Sequence, residues 1–197
     1  MKPHSDEKKA AKHKPGHEHG HKAEHKPDEE GKELRRAFEH LGRVRAISGH
    51  VGQTHAVAAN ANFELAFHRG QRALEMAVKE GATPRQKKAA ADLLRSAEHL
   101  AFAELEGGAE SDRKLLTEPL KDAIQKEFKK LDEKAVDNEK QSPDEGIRKL
   151  QEQVRKEARK ALDGEHYRRA LELIRGAEAL AHVPGQDEPA DTDEAAA

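Results

Sequence analysis

The chain of 197 residues sets 36 lysines and arginines against 38 aspartates and glutamates, contains no cysteine and is only 3% aromatic. Without cysteine there can be no disulfide, thiolate metal site or cysteine nucleophile, and no stretch approaches the roughly 20 apolar residues of a membrane span. Val, Ile, Leu and Phe together number 33, too few to line a large ligand cavity, whereas abundant alanine suits helices over a thin apolar seam.

In chain order, residues 1–28 come first. They contain no Leu, Ile, Val, Phe or Tyr and carry seven lysines and six histidines, so they cannot bury a core and are expected to be disordered. His13, His17, His19, His21 and His25 are the candidate ligands. The centre of the segment is His17-Glu18-His19-Gly20-His21, in which alternate imidazoles can converge on one ion and Gly20 eases the bend. Neutral imidazole suits divalent Ni, Zn, Cu or Co, with copper strongest in the usual order. Competing readings are a plain solubilising arm, a polyanion-binding arm and a purification tag. Five acids offset the seven lysines, so nucleic acid is not the leading partner, and the histidines are interrupted, unlike a tag.

From about residue 29 the apolar residues adopt helical spacing. Leu34, Phe38, Leu41 and Val44 form one stripe; Phe63, Phe67, Leu74 and Val78 form the next, with Gly70 and Ala77 on the same face. Gly42, Gly49 and Gly52 weaken any continuous helix between them. Thr83-Pro84-Arg85-Gln86 reads as a capping box with proline at the first helical position, and Ser142-Pro143-Asp144-Glu145 repeats it. Thr117-Glu118-Pro119 is a looser third start. Gly81, Gly107-Gly108 and Gly164 stand where helices should stop. Further stripes follow at Leu93, Ala97, Leu100 and Ala101; at Leu120, Ile124, Phe128 and Leu131; at Ile147, Leu150, Val154 and Ala158; and at Tyr167, Leu171, Ile174 and Ala181.

The fold class expected is all-α, with five to seven helices in antiparallel hairpins or a bundle. Residues 1–28 form a His/Lys-rich tail, 29–183 the helical domain and 184–197 a disordered acidic tail. Leu93–Ala101 aligns with Leu173–Ala181, 80 positions on, as a helical hairpin repeated within the chain would. Gly164, Tyr167, Ala170 and Ala177 match half of a tetratricopeptide repeat, but the other half and the period of about 34 residues are missing, so no family is assigned.

Inside the helical domain, the wheel places His99 opposite its apolar stripe, hence exposed. Glu64 and His68, four apart, could chelate a metal, and Asp163 with His166 is a weaker pair. No Glu-x-x-His motif of a di-iron bundle occurs. Glu104 and Glu127 fall within apolar stripes, where a carboxylate is either a ligand or paired with a cation. No phosphate loop, dinucleotide glycine motif, zinc-protease motif or nucleophile elbow is present.

The functional expectation is therefore a non-enzymatic helical protein that binds divalent transition metal through its histidine-rich tail, for storage, delivery or tolerance. Its helices would serve a protein partner or self-association. The alternative is a repeat-like helical interaction scaffold with a solubilising tail. With no apolar leader segment the chain reads as cytoplasmic, as would an exported form stripped of its leader.

Overall fold

The computed structural model describes residues 27–51, 60–105, 109–138 and 144–184, and among these it is helical with no strand. Seven helices follow in order: α1 (Pro27–Val51), α2 (Ala61–Ala77), α3 (Pro84–Leu105), α4 (Ala109–Leu115), α5 (Glu118–Asn138), α6 (Glu145–Asp163) and α7 (Tyr167–Ala181). The histidines of residues 1–26 lie outside the described residues, as do Ser142, Gly107 and Gly108.

The helix ends follow the local chemistry, with two departures from the sequence expectation. The capping box at α3 is formed as expected: the Thr83 backbone N–H donates to Gln86 Oε1 at 2.8 Å, and the Gln86 N–H donates to Thr83 Oγ1 at 3.2 Å. α6, in contrast, opens at Glu145 with Asp144 as its cap, the Asp144 carboxylate accepting from the Gly146 N–H at 2.7 Å. Asn60 plays the same part for α2, accepting from Asn62 and Phe63. Gly81 has φ +81°, the left-handed turn glycine expected after α2. After α6, however, Gly164 keeps φ −85° and the left-handed residue is Glu165, at φ 60°.

The apolar seam is made of alanine and leucine, as the composition implies. Three expected members are displaced from it. Phe38 is 51% exposed, because the buried line of α1 runs Ala37, Leu41, Val44 and Ile47 and Phe38 lies a residue off that line. Val78 is exposed as the residue capping the end of α2, and Leu120 is exposed in the first turn of α5.

Six of the seven helices, all but α4, form two three-helix units with one burial pattern. Ala37, Leu41 and Val44 of α1 correspond to Ile124, Phe128 and Leu131 of α5. Phe63, Ala66, Gly70, Leu74 and Ala77 of α2 correspond to Ile147, Leu150, Val154, Ala158 and Ala161 of α6. Ala90, Leu93, Leu94, Ala97 and Leu100 of α3 correspond to Ala170, Leu173, Ile174, Ala177 and Leu180 of α7; all of these residues are buried. The caps Asn60 and Asp144 also correspond. The likeness read between residues 93–101 and 173–181 is thus the best-preserved part of a longer structural correspondence.

The units meet antiparallel. His99 reaches Glu172, Gly176 lies against Ser96 and Leu100, and Lys88 donates to the His182 carbonyl. α2 crosses α6 in the same sense, with Asn62 paired to Glu157 and Arg69 to Asp144. The crossing brings Ser96 opposite Gly176, and α3 and α7 form the centre of the described helices. This differs from the translational stacking of a tetratricopeptide array. α4 bridges the units and rests on the start of α7.

Candidate functional site

Residues of the helical domain that could carry chemistry are gathered in a few polar clusters, most of them where α3 or α7 meets a neighbour. Their positions follow from α3 being covered on several sides, which leaves no fully solvated face for its central turns. His99 was expected to be exposed; its side chain is only 17% accessible, and its Nδ1 lies 2.7 Å from Glu172 Oε2. Arg175 closes on the other oxygen of Glu172 at 2.8 Å. One residue earlier on α3, Glu98 turns toward α1. Its carboxylate takes Arg43 Nε at 2.7 Å and His40 Nδ1 at 2.6 Å. The adjacent pair Glu98 and His99 therefore pins α3 to both flanking helices through two histidine–glutamate–arginine clusters.

The electrostatics of these clusters match their geometry. Burial works to push the Glu98 carboxyl up, but the hydrogen bonds from His40 and Arg43 and their charges outweigh it and hold it below the usual glutamate value. Glu172 behaves likewise: burial raises it, and His99 and Arg175 bring it below its ordinary value. Asp92 goes the other way. Its burial outweighs the pairing with Lys88 and the nearby His182, and Glu33 adds to the upward push.

Glu104 is a paired residue. Arg169 donates to it at 2.8 and 3.3 Å and the Asn60 side chain at 2.7 Å, so its carboxylate is occupied by protein donors. Glu127 is exposed on α5 and does not enter the core. Sequence reasoning missed Asp112, which is 0% accessible. It projects from α4 to the start of α7, where its carboxylate accepts from the Arg168 backbone N–H at 3.1 Å and from Arg168 Nε at 2.7 Å. His166, the local cap position of α7, makes no side-chain cap bond, so Asp112 caps that helix from a distant part of the chain.

Glu64 and His68 do meet, at 3.1 Å, but in open positions, with His68 68% accessible. Among the described residues no group of three or more His, Asp or Glu side chains is placed to hold a metal. His68 and Glu104 therefore do not share the ligand set that an internal bundle site would need. An open groove of about 840 Å³ runs between α5 and α6. It is lined by Phe128 and Leu162 among balanced charges, and Asp132 is already paired with Arg155 and Arg159.

The proposed ligands His13, His17, His19, His21 and His25 fall outside the described residues. No helix among the described residues is long and apolar enough to cross a membrane. No protein-family model, curated protein or solved structure matches the chain.

Proposed function

We propose that this protein binds a divalent transition metal, Ni, Zn, Cu or Co, through the imidazoles of His13, His17, His19, His21 and His25, and that it is a non-enzymatic metal reserve, carrier or protectant of the cytoplasm. The observation that carries the reading is the His17-x-His19-x-His21 run flanked by two further histidines, in a cysteine-free chain. Imidazole without thiolate selects borderline divalent ions over Cu(I) or iron–sulfur clusters. The described bundle is consistent with a supporting role. Its two most covered histidine–carboxylate pairs, His40–Glu98 and His99–Glu172, each also engage an arginine.

The ligands must lose their protons to bind. Affinity should therefore fall as the pH drops through about 6.5, the ordinary histidine value. Isothermal titration of Ni²⁺, Zn²⁺ and Cu²⁺ into the full chain, and into a full-length variant with the five histidines replaced by alanine, tests the assignment. Binding that survives the five substitutions unchanged in affinity and stoichiometry would remove it.

A further inference from the structure

The outer face of α1 is basic, and among the described residues no helix lies over it. Lys32, Arg35, Arg36, Arg43 and Arg45 are all exposed there, with Glu39 the one exposed acid among them. Arg36 is satisfied by Glu33 and Arg43 by Glu98. Lys32, Arg35 and Arg45 have no ion-pair partner among the described residues. Phe38 stands beside them at 51% exposure.

The chain supplies a segment of complementary charge close by. Lys88 at the start of α3 holds the His182 carbonyl, and Val183 is buried, so the chain leaves α7 against the first turns of α3. Ala37 of α1 packs with Ala90 and Ala91 of α3, within a turn of Lys88, so the exit point lies beside the first turns of α1. Beyond Pro184 come residues 185–197, which contain Asp187, Glu188, Asp191, Asp193 and Glu194 and no lysine or arginine. Extended, these residues could reach roughly 40 Å, whereas Lys32 to Arg45 spans about 20 Å of helix. Residues 1–26 set seven lysines against four acids and so carry the wrong sign for that face.

From this placement we infer that residues 185–197 dock along the outer face of α1, their carboxylates meeting Lys32, Arg35 and Arg45. The docked segment neutralises this basic helix face and denies it to other polyanions. The contact is electrostatic and solvent-facing, so it is weak and sensitive to salt.

The lack of cysteine allows a unique spin label at Ala196→Cys in the full chain. The expected result is loss of the amide signals of residues 32–45 in the NMR spectrum of the labelled protein. They should return in 1 M salt, where the screening length is about 3 Å. They should return too when Asp187, Glu188, Asp191, Asp193 and Glu194 are changed to their amides. Signal loss confined to the ends of α3 and α7 would overturn the inference. So would loss on α1 that persists after the charges are removed, or loss that appears only between labelled and unlabelled copies in a mixed sample.

Discussion

Gly70 of α2 lies directly beneath Leu94 of α3: a β-carbon built on it would fall 2.8 Å from Leu94 Cδ2 and 3.2 Å from the Leu94 backbone nitrogen. The corresponding pair in the second unit is Val154 and Ile174, both buried. The first unit therefore brings its two helices together by omitting a side chain where the second interposes one. Gly70→Ala should destabilise the fold by about 1–3 kcal/mol through overpacking, despite the gain of roughly 1 kcal/mol in helix propensity. Denaturant titration checks this, and a double-mutant cycle with Leu94→Ala should show coupling because the two residues touch.

The two histidine–glutamate–arginine clusters give a pH dependence whose sign is fixed by their carboxylates. Glu98 and Glu172 have folded-state values below their ordinary ones, so the unfolded chain binds protons first on acidification. Their stabilisation is complete above the ordinary glutamate value of 4.5 and is lost as the pH falls through the lower folded values. Asp92, raised by burial, works in the opposite sense and offsets part of that loss. Thermal unfolding followed from pH 6 downward should show a smaller decline in Glu98→Gln/Glu172→Gln than in the parent chain.

Glu165 occupies a left-handed backbone position that an L side chain enters at a cost of roughly 1–2 kcal/mol. Its side chain contributes only a solvent-exposed ion pair to Arg113, which adds little. Glu165→Gly should therefore raise stability by about 0.5–1 kcal/mol, since glycine adopts the position without strain. A lowered unfolding midpoint would show that the Arg113 contact outweighs the strain.

Asp112 is fully buried and satisfies both the second N–H of α7 and the Arg168 guanidinium. Asp112→Ala removes a cap and a charge-assisted bond together and should cost about 2–3 kcal/mol. Hydrogen exchange should show the loss concentrated in α4 and the first turn of α7. A uniform change across the bundle would point to a different role.

The sequence stripes located the helices because burial on one side imposes a spacing of three and four, and Ile147, Leu150, Val154 and Ala158 illustrate this without exception. Phe38 misled because a large aromatic draws attention from Ala37, the smaller residue that is fully buried. His99 was misplaced for a different reason. A wheel shows only one apolar side, whereas α3 is flanked by α1, α2 and α7, so polar residues on its other sides are also covered and must pair. The role of Asp112 depends on a contact with Arg168 across 56 positions, which no local spacing encodes. The internal likeness was visible only at Leu93–Ala101, because elsewhere the units preserve burial while exchanging residue size, as Gly70 and Val154 do.

His13, His17, His19, His21 and His25 are the proposed metal ligands. Native mass spectrometry of tag-free full-length protein, equilibrated with Ni²⁺ or Zn²⁺ at pH 7.5 beside the five-histidine alanine variant, addresses that directly. Metal adducts on the parent chain and none on the variant are the predicted result. Equal adduct number on both would contradict it.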